Sequence, residues 1–114
     1  MRFEVEVVSE ELLPAVRSMI ADQLKQEYGL KQSEIAEKLE VTQPAVSQYL
    51  SNSRANQKII ERLEEDPQIG MLIRDAASKA ARDKAFAEEV SEIIKNVRDK
   101  GIMKEEFRNT YRVF

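Results

Sequence analysis

Several residue types that carry chemistry in other proteins are missing from this chain of 114 residues. It has no cysteine and no histidine, which removes disulfides, thiolate metal sites and the usual nucleophile–base pairs of hydrolytic enzymes. A glycine-rich phosphate loop and a glycine-flanked nucleophilic serine are also missing. The carboxylates that remain, such as Glu88 and Glu89, are typical of a solvated helix surface. We therefore expect no enzyme activity, no metal site and no cofactor.

Long apolar runs and turn-forming residues are scarce as well. No apolar stretch approaches the roughly 18 residues that a membrane helix needs, and the acidic start differs from a basic signal peptide, so we expect a cytoplasmic protein with no membrane partner. Three glycines and three prolines, beside 34% charged and 42% hydrophobic residues, exclude a disordered or fibrous chain and favour helices. The length fits a single domain over residues 1–114.

Acidic residues are unevenly distributed along the chain. The formal net charge of −3 argues against a protein that coats nucleic acid non-specifically. No acidic residue occurs from Val41 to Ile60, however, and this run contains Arg54 and Lys58. The absence of acidic side chains indicates that this run forms a surface that can approach a polyanion such as DNA. The alternative explanation is chance clustering of the acidic residues elsewhere. Outside it, Lys31 and Lys38 are expected to add attraction that the neighbouring glutamates weaken.

Two short helical patterns, separated by a break, occupy the stretch from Gln32 to Leu50. The first has its apolar stripe at Ile35, Ala36 and Leu39, and the second repeats apolar residues at spacings of three and four. The small Ala36 opposite the branched Val46 predicts that the two helices cross closely and steeply. The outer face of the second helix carries neutral donor–acceptor side chains that can read base edges in a major groove, namely Gln43, Ser47 and Gln48.

With its sub-patterns QSEIAEKL, VTQPAVSQYL and SNS, this stretch resembles the helix-turn-helix of the Cro and phage-repressor (XRE) family, and within that family small archaeal regulators. The resemblance implies an all-α, lambda-repressor-like fold with additional helices, and a transcriptional regulator that binds double-stranded DNA as a homodimer. Two positions depart from the family pattern. Glu40 stands where glycine is common in the turn, so a left-handed backbone is expected there. Lys31 stands where serine or threonine often caps the first helix.

The outer face and the resemblance together define the predicted DNA contacts. The resemblance implies a phosphate contact for Gln32 and a backbone-contacting loop after the second helix, and Thr42 is expected mainly to cap that helix. The full set is Gln32, Thr42, Gln43, Pro44, Ser47, Gln48, Ser51, Asn52, Ser53, Arg54 and Lys58. Each of these residues has an ordinary polar surface as its alternative role. The alternative for the whole motif is packing alone, in an antitoxin-like or complex-assembly subunit that binds another protein.

The predicted DNA-binding core covers residues 10–65. A helical extension is predicted to follow it over residues 66–114. Alternation in the first eight residues and in TYRVF predicts two short strands that pair within one chain or across a dimer. This pairing is expected to bury Phe3, Val5, Tyr111 and Val113.

Helical spacing places five further helices around the motif. The first is capped by Ser9 and runs to about Tyr28, where Gly29 ends it. The others cover about Asn56–Glu65, Gln68–Ala81, Lys84–Lys100 with Asp83 as its cap and Gly101 as its stop, and Met103–Arg108. The helices after Gln68 either form a dimer interface or widen a monomeric core.

Overall fold

A computed structural model describes residues 1–51 and 54–112, without the side chains of residues 54 and 55. Helices make up most of the described chain, and the strands are short, so the predicted all-α fold is confirmed. In chain order the elements are β1 (Arg2–Phe3), α1 (Glu4–Val7), a π-helical segment (Val8–Leu12), α2 (Leu13–Gln26), α3 (Gln32–Leu39), α4 (Gln43–Ser51), α5 (Arg54–Glu64), α6 (Pro67–Ala81), α7 (Ala87–Lys100), α8 (Lys104–Phe107) and β2 (Thr110–Tyr111).

The helix α2 lies at the centre of the molecule. It contacts α3, α4, α5 and α6, and most of its apolar side chains are buried, among them Val16, Ile20 and Leu24. They belong to one hydrophobic core that also contains Ile35 of α3 and Val46 of α4. Burying a side chain of this size stabilises the fold by about 1.5–3 kcal/mol relative to leaving it in water. The motif is therefore held on the central helix.

Two of the predicted helix ends are confirmed by their backbone geometry. Gly29 adopts a left-handed φ of 63°, and the Leu30 N–H donates to the Leu24 carbonyl at 3.2 Å. Gly101 repeats this arrangement at the end of α7 with a φ of 64°. A residue without Cβ takes this conformation without steric cost, which is why each helix stops here. The last helical residue of α2 is Gln26 rather than Tyr28.

The predicted strand over the first eight residues is wrong beyond Phe3. Glu4 begins a helix, and the Glu6 carboxylate accepts a hydrogen bond from the Phe3 N–H at 2.9 Å, which satisfies one free amide at the helix start. The ladder to β2 includes only two residues on each strand. Beyond Phe3 the backbone therefore has no strand partner. Its N–H and C=O groups form hydrogen bonds within the helix instead. Val7, predicted to lie on a strand, is instead a fully buried helical residue.

Ser9 does not cap a helix, because helical structure already begins at Glu4. Its hydroxyl donates to the Glu6 carbonyl at 3.3 Å, inside the continuous run from α1 through the π-helical segment into α2. Pro14 follows that segment in the first turn of α2. Proline has no amide to donate and its ring crowds the carbonyl four residues earlier, so a widened turn in this place accommodates it.

Asp83 ends α6 and does not cap α7, contrary to the prediction. It has a left-handed φ of 57°, and the next residue, Lys84, donates its N–H to the Lys79 carbonyl at 2.8 Å. This is the same kind of helix stop as at Gly29, with aspartate in place of glycine. The following helix starts later than expected, at Ala87.

The chain termini pair with each other in parallel. Arg2 is opposite Thr110 and Phe3 is opposite Tyr111, so the predicted strands pair within the chain. We name this pair of strands, β1 and β2, the terminal ribbon. The predicted burial is wrong, since Phe3, Val5 and Tyr111 are 37%, 54% and 55% exposed. A ladder this short has too little surface to cover them, and Val113 lies outside the described residues.

Ion pairs join the C-terminal part of the chain, from α7 to Arg112, which we name the tail, to α1 and α5. The buried Glu4 carboxylate pairs with both Arg98 and Arg112, which holds the start of α1 against α7 and the end of the chain. Arg62 of α5 pairs with Glu106 of α8 at 2.6 Å. The Arg62 guanidinium hydrogen-bonds the Glu106 carboxylate and thereby lowers its pKa. The tail therefore packs as part of the same structure.

Candidate nucleic-acid interface

The turn between α3 and α4 has a left-handed residue at Glu40, as predicted. Its φ and ψ are 56° and 44°, and the Val41 N–H donates to the Ala36 carbonyl at 3.0 Å. A residue with a Cβ pays about 1–2 kcal/mol for this conformation. The bend nevertheless closes α3 and turns the chain directly into α4.

Different side chains cap the two helices of the motif. The Thr42 hydroxyl accepts a hydrogen bond from the Ala45 N–H at 3.2 Å, which confirms Thr42 as the cap of α4. At α3 the lysine ammonium has no acceptor to offer, and instead the Lys31 N–H donates to the Glu34 carboxylate at 3.0 Å. The Glu34 charge is therefore used at the amino end of its own helix.

One side of α4 is held in the core. Val46 is fully buried and Ala36 of α3 is 6% exposed, as the small-against-branched pattern predicted. Tyr49 and Leu50 are half-buried and pack against the same core. Since α4 also contacts α2, its orientation is fixed by two neighbouring helices. A reading helix needs such rigid support, because the geometry of base contacts tolerates little movement.

The opposite side of α4 is exposed and polar. Gln43, Ser47, Gln48 and Ser51 are all exposed, and their spacing of four, five and eight residues from Gln43 puts them on one side of the helix. Pro44 is exposed beside them. The Ser51 hydroxyl donates to the Gln48 carbonyl at 3.1 Å and keeps its oxygen free to accept. We name Gln43, Ser47, Gln48 and Ser51 the outer face of α4.

The other predicted contact residues that the structure describes are also on the surface. Gln32 is exposed at the first residue of α3, Thr42 is exposed although its hydroxyl is engaged, and Lys58 is exposed on α5. Asn52 and Ser53 lie outside the described residues, as does the side chain of Arg54. The contacts of all these residues with DNA stay predictions.

The charge distribution differs from the prediction at Lys38. Its ammonium pairs with the Asp83 carboxylate at 2.8 Å, and the side chain is only 20% exposed. Lys38 is thus paired on the surface with a residue 45 positions away, which partly offsets its charge, and its attraction to DNA stays a prediction. Lys31 remains exposed next to Gln32.

One exposed residue of the motif, Ser33, was not among the DNA contacts predicted from the sequence. Ser33 lies beside Gln32 in the first turn of α3 and adds a hydroxyl donor where the helix amides are free. The amino ends of helices attract phosphate groups. The position of Ser33 in the first turn of α3 is therefore the sequence signal that marks it as a candidate phosphate contact.

The part of the chain that the structure describes has neither a group of metal ligands nor a membrane-spanning helix. Within those residues, no cluster of three or more acidic, histidine or cysteine side chains is placed to hold a metal ion. No helix in the ranges 1–51 and 54–112 is long and apolar enough to span a membrane.

Comparison with known proteins bears on the motif and its immediate neighbours. A family model described as helix-turn-helix matches residues 20–72, which extend from Ile20 in α2 to Leu72 in α6. Neither a curated protein nor a solved structure matches the chain. The likeness to small archaeal regulators stays a prediction. Residues 20–72 thus carry the helix-turn-helix of the Cro and phage-repressor (XRE) type, which belongs to a family of DNA-binding transcriptional regulators.

Proposed function

We propose that this protein is a sequence-specific transcriptional regulator that places α4 in the major groove of double-stranded DNA as a homodimer. The observation that carries the proposal is the outer face of α4, which is polar, exposed and free of acidic residues. The opposite side of the same helix is anchored by the fully buried Val46. Such a helix can approach a polyanion without repulsion and keep its geometry while doing so.

The side chains of the outer face suit direct readout. Glutamine pairs through both amide atoms with the N6 and N7 positions of adenine, so Gln43 and Gln48 favour A·T base pairs at two places. Ser47 lies between them and is small enough to let the helix backbone approach the bases. Gln32 at the amino end of α3 is positioned to bind a phosphate, and this contact would fix the register of the motif on the duplex.

Open strand edges and exposed aromatic rings in the terminal ribbon support the homodimer. Within the described residues, β1 and β2 pair only with each other, so each strand has an open edge. Phe3 and Tyr111 have their ring centroids 6.0 Å apart and are both exposed. A second copy of the chain would cover these rings, and dimers of this family type read two half-sites about one helical turn apart. Replacing Tyr111 with Ser should shift sedimentation toward the monomer.

The experiment that tests the proposal is selection of bound sequences from a random duplex pool. We expect enrichment of a twofold-symmetric sequence with half-site centres about 10–10.5 base pairs apart, or a multiple of this spacing. Failure to enrich any sequence, together with no salt-dependent retention on heparin, would leave packing as the role of the motif and favour the protein-partner alternative.

A variant of Lys58 separates phosphate contacts from base contacts. Lys58→Ala should weaken binding to all duplexes alike and reduce the slope of log affinity against log salt by about one charge. Lys95→Ala is the matched control, because Lys95 is exposed on α7 outside the motif. Equal effects of both substitutions would show that Lys58 contributes only to the overall charge.

A further inference from the structure

A cleft of about 420 Å³ lies between α2, α5 and α6. Its floor is formed by buried residues, including Ser18, and its rim by exposed polar side chains. The volume is within the range of pockets that hold small molecules. No residue of α4 lines the cleft, so it is separate from the outer face that we propose for DNA.

The hydroxyl of Ser18 is the first indication of a ligand. Ser18 is 2% exposed, and its Oγ has no hydrogen-bond partner among the described residues. Leaving a buried hydroxyl unpaired costs about 1–3 kcal/mol, whereas alanine, as found nearby at Ala15 and Ala21, would avoid that cost. Because Ser18 is one of the residues that line the cleft, its unpaired hydroxyl lies next to the space where a ligand would bind.

Opposite charges on the rim are the second indication. Asp22 lies on α2 and Glu64 on α5, while Arg74 lies on α6. None of the three forms an ion pair with a described residue. Gly70 leaves room on the wall of α6, since a Cβ there would lie 3.5 Å from the Arg74 Nη1. The guanidinium is therefore close to the cleft wall and is free to bind a carboxylate.

We propose that this cleft binds a zwitterion of the size of a free amino acid. Arg74 would bind its carboxylate, Asp22 and Glu64 would bind its ammonium, and the Ser18 hydroxyl would bond a polar atom at the buried end. A cation without a carboxylate would leave Arg74 unpaired, and an anion without an ammonium would face two acidic side chains. Since two carboxylates and one guanidinium line the same cleft, a ligand that carries both charges satisfies it best.

The test is direct titration of the full chain with each of the twenty proteinogenic amino acids, by calorimetry or ligand-detected NMR. We expect saturable binding of at least one, with at least tenfold weaker binding of its methyl ester and of its N-acetyl derivative. Binding of the ester and the parent with equal affinity would remove Arg74 from the site. No saturable binding of any amino acid would overturn the proposal.

Variants distinguish this cleft from other surfaces. Gly70→Leu should fill the cleft and abolish binding, and the fold should persist because leucine favours a helix more than glycine does. Arg74→Gln should weaken binding at least tenfold, while Arg108→Gln, an equal change of charge outside the cleft, should not. Unchanged affinity in both Gly70→Leu and Arg74→Gln would place the ligand elsewhere and refute the proposal.

Ser18→Ala provides a variant that does not depend on tolerance of a larger side chain. It should raise the melting temperature of the free protein, because the unpaired hydroxyl is removed, and lower amino-acid affinity about three- to tenfold. A purely structural serine would lower stability on substitution and leave ligand affinity unchanged, which would contradict the proposal.

Discussion

The helices α4 and α6 are built in opposite ways. Only Val46 of α4 is buried, whereas α6 buries residues along its length, namely Ile69, Ile73, Ala76, Ala77 and Ala80. The small side chains of α6 let it pack closely against α2 and α7. The difference shows that stability and recognition are assigned to different helices. A helix that must enter a groove keeps most of its surface in water, so its neighbours have to supply its support.

The largest effect is expected from a cavity in α6. Ile69 is fully buried, and Ile69→Ala should lower the free energy of unfolding by about 2–5 kcal/mol through lost burial and the cavity it leaves. Urea unfolding measures the change. Met71, on the same helix but 50% exposed, is the control, and Met71→Ala should change stability by only about 0.5 kcal/mol. Equal losses would mean that burial does not distinguish the two positions.

The next largest effect concerns the outer face of α4. Gln43→Ala and Gln48→Ala should each weaken binding to the selected DNA by about 1–3 kcal/mol, because a bidentate contact to adenine is lost. The free energy of unfolding should not change, since both side chains are exposed. Gln68→Ala changes an exposed glutamine at the start of α6 and should leave DNA binding intact. If both α4 variants discriminate operators normally, their proposed role is wrong.

The cap of α4 should have an effect of about 1 kcal/mol. Thr42→Ala removes the acceptor for the Ala45 N–H and should lower the free energy of unfolding by about 0.5–2 kcal/mol. Thr42→Ser keeps the hydroxyl and should cost much less. Melting both variants with and without DNA separates the cap from a DNA contact: a loss seen only in the complex would assign the hydroxyl to DNA.

Relief of backbone strain in the turn should have a smaller effect. Glu40→Gly removes a cost of about 1–2 kcal/mol for the left-handed conformation and adds about 0.5–1 kcal/mol of chain entropy. We expect a gain of at most about 1 kcal/mol in thermal unfolding. Glu40→Ala removes the charge but keeps the Cβ, so it should not share the gain. A clear loss of stability in the glycine variant would show that the Glu40 side chain stabilises the turn.

The smallest effect is a difference in acid sensitivity between the starts of α4 and α6. The Asp66 carboxylate accepts from the Lys100 ammonium at 2.8 Å and from the Ile69 N–H at 3.0 Å, and these bonds lower its pKa. A lowered pKa gives stability that is present above the unfolded-state value of about 4 and is lost as pH falls through the folded value.

Asp66→Asn keeps an acceptor for the cap and removes the charge, so it should flatten the fall in stability below about pH 4. Thr42→Ala has no titrating group to remove and should shift the whole profile evenly. Chemical unfolding at several pH values provides the comparison. Parallel profiles for the native chain and Asp66→Asn would show that the Lys100 pair does not stabilise α6.

Local features of this chain were predictable from the sequence. The apolar stripes of α3 and α4 and the glycine stops after α2 and α7 depend on residues within about one turn of each other. The cap at Thr42 and the exposed outer face of α4 follow from the same short range, whereas the family resemblance implied the left-handed backbone at Glu40. The candidate DNA contacts came from the outer face together with the family resemblance, and the side chains that the structure describes among them are all on the surface.

Segments whose residues suit two different local structures were not predictable from the sequence. The first residues alternate like a strand, but Glu4 and Val7 also suit one side of a helix, and the short ladder to β2 decided between them. Asp83 suits both a helix cap and a left-handed stop. Its stop and its pair with Lys38 depend on how α3 and α6 pack.

The sequence by itself determined the helical fold, the helix-turn-helix and the side of α4 that faces solvent, because helical periodicity is encoded over a few neighbouring residues. Only the tertiary structure decided which charges are available and which residues share a cleft. Lys38 and Asp83 are 45 positions apart, and Ser18, Glu64 and Arg74 come from three different helices. Contacts of this kind depend on how whole helices pack, and no local pattern of residue types records that arrangement.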